Sequence, residues 1–306
     1  MIHVIGNAAI DSVIRVDELP RPGETIVALG ASEDLGGKGA NQAVAVARCG
    51  AAVRLVAPVG DDALGERIRW NLAREGVEID GVMTSSYGTD RCVIAVDRHG
   101  ENTILSLIDA ARNFDPIVET GLKSWIRPGD LVVMQGNLRP SVTRDCLALA
   151  KSKGATTVLN PSPTYVSEDY DWALVDLVLV NRGEAVDLAG GEAEEAALEL
   201  CRRGAGAVVL TLGADGAAFF SADDTFRARA APVIAIDTVG AGDVFCGVFV
   251  AAKALGRSWK GALGAATEAA SISVTRKGVL ASFPSREEVT CVLEHTAFGR
   301  QEETQQ

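Results

Sequence analysis

The chain has 306 residues, 47% hydrophobic and 23% charged, with 32 glycines and 10 prolines. That composition excludes disorder along the whole length and supplies enough apolar residues for a large core. The net charge of −12 speaks against a nucleic-acid partner, whose phosphates need clustered Lys and Arg, but leaves a small anionic ligand open.

A membrane location is not expected. The longest clean apolar run, 244–252, is far shorter than the roughly 20 residues of a spanning helix. The start, MIHVIGNAAID, has no basic leader region and reads as a strand. Six cysteines are scattered without a CxxC pair, which suits reduced, mostly buried thiols in a cytoplasmic protein better than a disulfide or zinc framework. With only three histidines, proton transfer is expected to fall to a carboxylate.

In chain order, residues 1–6 form an apolar run that stops at Gly6. An Ala/Val-rich helix is predicted over 40–49, ended by Gly50. A strand follows at 53–59 and a helix at 64–75, ended by Gly76. Next come a short apolar run at 131–135, a helix at 142–153 and strands at 155–159 and 177–180. A helix at 192–203 leads to a strand at 207–212. From Asp243 the pattern is helical to about Val274. This alternation predicts an α/β fold with a doubly wound, mostly parallel sheet flanked by helices. Residues 11–28 and 91–107 break the rhythm. They read as extended segments of a small antiparallel accessory sheet that could serve as a lid. No linker or repeat divides the chain, so one domain over 1–306 is expected, with a lid formed by about 11–34 and 87–109. The polar tail 301–306 is expected to fray.

No GxxxxGK[ST], GxGxxG, GxSxG or HExxH motif is present. The most informative segment is Asp237-Thr238-Val239-Gly240-Ala241-Gly242-Asp243, between the apolar run 232–236 and the helical stretch. Small residues at 240–242 admit a ligand close to the backbone, and a helix start there favours an anion. A carboxylate at the same point either caps the helix or takes a proton from an attacking hydroxyl.

This segment resembles the C-terminal signature of the ribokinase-like (PfkB) carbohydrate kinases. Gly36-Gly37-Lys38-Gly39-Ala40-Asn41-Gln42-Ala43 resembles their N-terminal signature. Further similarity runs through PRPGET (20–25), GDDALGE (60–66), NPSP (160–163), Thr211–Gly213 and TRKG (275–278) to Ser282, over nearly the whole chain in family order. The resemblance implies ATP-dependent phosphorylation of a sugar's primary hydroxyl. Asp243 matches the family's base, and Gly240, Ala241 and Gly242 its anion hole. Asn181 and Glu184 match the NxxE motif that organises Mg²⁺ through waters. Thr211 and Gly213 match nucleotide contacts. Asp11, Gly37, Lys38 and Asn41 match sugar contacts. Asp237, Val239, Ser273, Arg276, Gly278 and Ser282 match a monovalent-cation site, several through backbone carbonyls, so K⁺ is expected. A homodimer through the lid's exposed apolar face is also implied.

Three positions depart from the family's ribose-phosphorylating pattern. Ala9 stands in place of an Asn, Asn137 in place of a Glu, and the lid segment reads Ile108-Asp109-Ala110-Ala111-Arg112. These changes weaken the expectation that ribose is the acceptor, and they bring Asn137, Asp109 and Arg112 into the candidate sugar site. Arg112, Arg91 and Arg139 could accept an acidic group on the substrate. A nucleoside kinase is an alternative, for which Tyr87 and Phe114 are the only lid aromatics. A catalytically silent sugar-binding protein is another.

Overall fold

The computed structural model describes residues 1–99, 101–164 and 170–298. The tail expected to fray, 301–306, lies outside the described residues. The first part of the chain runs β1 (Ile2–Ile5), β2 (Ala9–Arg15), β3 (Gly30–Gly36), α1 (Lys38–Arg48), β4 (Val53–Gly60), α2 (Ala63–Glu75), β5 (Glu78–Ser85), β6 (Asp90–Val96) and β7 (Asn102–Leu107). Three short helices follow: α3 (Asp109–Asn113), α4 (Pro116–Glu119) and α5 (Leu122–Trp125). Then come β8 (Leu131–Gln135), α6 (Pro140–Ser152), β9 (Thr156–Asn160), β10 (Leu177–Asn181), α7 (Arg182–Ala189), α8 (Ala193–Arg202), β11 (Ala207–Thr211), β12 (Ala217–Ser221) and β13 (Thr225–Ala228). The chain closes with α9 (Ala241–Ala254), α10 (Trp259–Ser273) and α11 (Arg286–Phe298).

Nine strands form the main sheet in the order β13-β12-β11-β10-β9-β8-β1-β4-β5. All neighbours pair in parallel except β11–β12 and β12–β13, which make an antiparallel edge. Because strand side chains alternate, each parallel strand feeds two cores. Val4, Leu55 and Val133 point to the side covered by α1, α2, α9, α10 and α11. Ile5, Val56, Val132 and Met134 point to the side covered by α3–α8. This is the doubly wound α/β fold expected from the sequence.

Three expectations are corrected. The stretch 1–11 is not one strand: it breaks at Gly6-Asn7-Ala8, so Asp11 sits on β2 of the small sheet. The long helical stretch divides at Leu255, with Gly256 in the left-handed region at φ 83°. The small sheet, ordered β3-β2-β6-β7, is mixed. Its β2–β3 and β6–β7 pairs are antiparallel, but β2–β6 is parallel. The two hairpin-like halves leave the main sheet at separate points in the same sense, so their inner strands run together. The apolar run 232–236 lies outside the strands, with Val233, Ile234 and Ile236 exposed.

Two carboxylates clamp the junctions between the sheets. Asp62 caps α2 through the Gly65 N–H at 2.9 Å and holds Thr89, just before β6, by its N–H (2.8 Å) and hydroxyl (2.7 Å). Asp90, at the start of β6, accepts the N–H groups of Ala110 and Ala111 where the chain returns from β7. Burial pushes Asp90 up to about 6.

Candidate active site

Four parallel strands that are neighbours in the sheet end on polar residues: Gln135 on β8, Asn160 on β9, Asn181 on β10 and Thr211 on β11. Gln135 pairs in register with Asn160, and Asn181 with Thr211. Carboxyl ends of parallel strands are where open α/β sheets bind ligands, most of all where the strand order reverses. Here the order reverses between β1 and β8, and the α1 start carrying Lys38 lies beside that point.

Gly240 caps α9 at φ 78°, so the chain can turn into the helix without strain. Asp243 does not cap α9, because no side chain bonds the helix start. Its carboxylate is 7% exposed and turns inward, accepting Asn41 Nδ2 at 3.0 Å and Gln42 Nε2 at 3.1 Å. The N–H groups of Gly240 and Gly242 meet no acceptor among the described residues, whereas the Ala241 N–H is turned to Thr238 O at 3.3 Å. The helix start therefore offers two free donors beside a buried carboxylate, suited to an incoming anion and a hydroxyl nucleophile.

A cavity of about 220 Å³ gathers Lys38, Asn181, Glu184, Gly240, Gly242 and Asp243. Lys38 forms no ion pair or hydrogen bond among the described residues, so its charge is available to a ligand. Asn181 and Glu184 form a reciprocal cap on α7: Asn181 Oδ1 accepts the Glu184 N–H, and Glu184 Oε2 accepts the Asn181 N–H, both at 2.9 Å. The cap leaves the other Glu184 oxygen free, so the pair fits a Mg²⁺ that keeps its water shell. A second cavity, of about 300 Å³, adjoins the first through Thr211, Thr238, Gly242 and Phe245. Its walls are mainly apolar, including Gly213, Ala214, Pro232 and Val233, and suit a flat ring.

On the lid, Asp11 lies under Gly36, where a Cβ would stand 2.3 Å from the Asp11 carboxylate. A Cβ on Gly37, at φ 88°, would stand 2.9 Å from the backbone of Ala8 and Ala9, where β2 begins. Burial, with smaller contributions from Asp243 and Asp34, pushes Asp11 up to about 6, against a hydrogen bond from Cys92. The Asn41 and Asn137 side-chain oxygens are buried without partners. The acceptor side is thus rich in hydrogen-bond acceptors.

Asp237 accepts the N–H groups of Val239 (3.0 Å) and Gly278 (3.1 Å), tying the loop before α9 to the turn after α10. Ser273 and Ser282 hydroxyls pair at 3.1 Å nearby in sequence and burial. The carbonyls of Val239, Arg276 and Gly278 accept no hydrogen bond among the described residues. This all-oxygen donor set fits an alkali cation. The Arg276 side chain itself turns away to a bidentate pair with Glu288, which it holds down at about 2.

Other candidate residues line neither cavity. Asp109 and Arg112 are exposed on α3. Arg91 alternates with Cys92 on β6, and Cys92 faces Asp11, so Arg91 lies on the opposite face of the lid, 4.0 Å from Glu33. Arg139 is exposed at the α6 start. Phe114 is a core residue, 2% exposed, and not a lid aromatic. Of the six free cysteines, Cys49, Cys146 and Cys246 are buried, Cys92 and Cys201 half-buried, and Cys291 exposed. The sequence reading missed Gln42, Gln135 and Asn160, whose clue was a polar residue within or closing an otherwise apolar segment.

Fold and site together define a small-molecule phosphotransferase of the carbohydrate kinase class. The pattern of the pfkB family carbohydrate kinases matches residues 1–286, and the chain belongs to that family. It is an ATP-dependent sugar kinase. Ribokinase of Haemophilus influenzae is 34% identical over 301 residues, covering 96% of this chain and 98% of its own length. The crystal structure of ribokinase from Thermotoga maritima aligns with a TM-score of 0.88 at 30% identity, covering 96% of this chain and 99% of that one. Ribokinase of Arabidopsis thaliana, solved with ribose and ATP, aligns with a TM-score of 0.87 at 26% identity, covering 96% and 98%.

Proposed function

We propose that the chain moves the γ-phosphoryl group of ATP to a primary hydroxyl of a small neutral sugar, with Asp243 as base. The observation that carries this reading is the buried Asp243 carboxylate, gripped by two amides beside two free N–H groups at the start of α9. A hydroxyl placed against Asp243 gives up its proton to the carboxylate as its oxygen bonds to phosphorus. The bond from phosphorus to the ADP oxygen then breaks. Gly240 and Gly242 N–H groups, with the α9 dipole and Lys38, hold the charge spread over the transferring group. The apolar cavity takes the adenine ring, and Thr211 and Gly213 line its approach.

Asn181 and Glu184 hold Mg²⁺ through its waters, and the ion supplies charge neutralisation of the triphosphate. Asp237, Ser273 and Ser282, with the carbonyls of Val239, Arg276 and Gly278, hold K⁺ and fix the loop that leads into α9.

A neutral acceptor is favoured over an acid sugar. The charges of Asp243 and Asp34 add to burial in pushing Asp11 up, and Asn41 and Asn137 add buried oxygens that need donors. Hydroxyl groups satisfy them, whereas a carboxylate would be repelled. The relatives named ribokinase support a pentose, and ribose belongs among the candidates despite Ala9 and Asn137. Closure of the lid would exclude water from the transfer. A single kinase domain over 1–306 and a cytoplasmic location complete the reading; no helix among the described residues is long and apolar enough to cross a membrane. Leu105 and Leu107, 64% and 56% exposed on the lid face away from Asp11, support pairing of two lids in a homodimer.

Sugar-dependent ADP release with Mg-ATP, with and without K⁺, tests this. The panel is ribose, 2-deoxyribose, ketoses, acid sugars and nucleosides. Turnover on neutral sugars is expected. Turnover confined to acid sugars or nucleosides contradicts the substrate class, and sugar-induced thermal shifts without turnover point to a binding protein.

A further inference from the structure

The kinase reading uses Asp243, Asn41 and Lys38 but leaves three carboxamides unexplained, the buried Gln42 and Gln135 and the half-buried Asn160. Gln42 and Gln135 are completely buried, and Gln42 comes from the middle of an Ala/Val helix, where an amide is costly unless fully bonded. Each is bonded. Gln42 Nε2 donates to Asp243 Oδ1 at 3.1 Å and to Asn160 Oδ1 at 3.0 Å. Gln42 Oε1 accepts Gln135 Nε2 at 2.8 Å. Asn160 Nδ2 donates to Leu179 O at 3.0 Å.

The order of donors follows from one fact: an ionised carboxylate can only accept. The Gln42 NH₂ must therefore face Asp243, its oxygen must face the Gln135 NH₂, and Asn160 must offer its oxygen and anchor its nitrogen elsewhere. Gln135 and Asn160 close β8 and β9, paired in register, so the chain of amides ties a carboxylate on α9 to two rigid strand ends. Glycines make room for it. A Cβ on Gly6 would stand 1.9 Å from Gln135 Oε1, and one on Gly247 would stand 2.7 Å from the Gln42 backbone carbonyl, so α9 can pack close to the α1 backbone that carries Gln42.

We infer that Gln42 is a positioning residue for phosphoryl transfer, with Gln135 acting through it. An Asp carboxyl rotates broadly about its last bond. Two amides, one on each oxygen, fix that rotation and leave a lone pair aimed at the acceptor hydroxyl. Because the donors are neutral, they hold the base without supplying a competing charge. The geometry needed for attack is then present before the sugar arrives.

This inference rests on the proposed role of Asp243. The test compares Gln42→Met, Gln135→Met and the double variant in the full chain, Met being chosen to keep the side-chain volume. Thermal melts are recorded to check that each is folded. Gln42→Met is expected to lower kcat about 10- to 100-fold, with KM for sugar and ATP within about threefold of the unmodified protein. Gln135→Met touches neither Asp243 nor a ligand, and is expected to lower kcat about 3- to 10-fold; the double variant should match Gln42→Met within about twofold. A packing role would instead lower stability and leave kcat near its starting value. The inference is overturned if folded Gln42→Met or Gln135→Met keeps its kcat, or if the two losses multiply. If Gln42→Met does not fold, Gln135→Met alone decides through the same split of kcat from KM. An unmodified protein without sugar turnover overturns the kinase role of Asp243 and this inference together. Normal turnover with an unimpaired Gln42→Met overturns this inference alone.

Discussion

The strand-end crest of the main sheet and the small lid sheet, whose Asp11 feels the charge of Asp243, are built on opposite terms. At the crest, Asp243 is nearly sealed and both its oxygens are bonded by amides, one of which, Gln42, is itself held by Asn160 and Gln135. On the lid, Asp11 is half-buried, much of β7 is exposed, and the junctions hang on Asp62 and Asp90. Buried, hydrogen-bonded networks resist rearrangement, because breaking a bond there leaves a polar group unpaired. A sparsely packed sheet on two clamped junctions can move as a unit. The difference suggests a division of labour: the crest prepares the chemistry, and the lid recognises the sugar and closes over it.

Variants can break or sharpen that division. The largest effect is expected from Asp243→Asn, which keeps shape but removes the base; kcat should fall by about 10²- to 10⁴-fold in the ADP-release assay. Asp11→Ala, on the lid, should raise the sugar KM by about 10- to 100-fold, the scale of a hydrogen bond to a charged group, with a smaller change in kcat. The pH dependence sharpens the same point. Asp11 titrates at about 6, so it is an acceptor-only carboxylate above that pH. The sugar KM should therefore rise as pH falls through 6. Asp62→Ala should lower unfolding stability by about 1–2 kcal/mol, through loss of the α2 cap and the Thr89 bonds, read in denaturant melts. Smallest of all, Arg91→Ala and Arg112→Ala should change sugar KM by less than about twofold, because exposed cations contribute little. A larger effect confined to anionic substrates would return these residues to the site.

Much of this was legible in one dimension. The run 237–243 was legible through its resemblance to a family signature, because small residues before a helix and a carboxylate at its third position on their own suit a cap as well as a base. The strands at 53–59, 131–135 and 207–212 were visible as apolar runs. β5, β12 and β13 were not, since β5 mixes charged and glycine positions and the other two form an edge with weaker patterning. The sense of β2 against β6 was invisible, because it depends on where the chain leaves the main sheet. The face of Arg91 stayed open for a simpler reason: its alternation with Cys92 decides that face only once Cys92 is known to pair with Asp11. The amide chain was hardest to foresee. Gln42 lies 93 residues from Gln135, 118 from Asn160 and 201 from Asp243, and no local pattern joins them.

The most direct test of the division is to separate kcat from KM for Asp243→Asn and Asp11→Ala on the best neutral sugar, with sugar affinity measured independently by calorimetry. The account expects Asp243→Asn to lose turnover while binding sugar nearly as before, and Asp11→Ala to lose affinity while turning over bound sugar. Loss of the same quantity in both variants would contradict it.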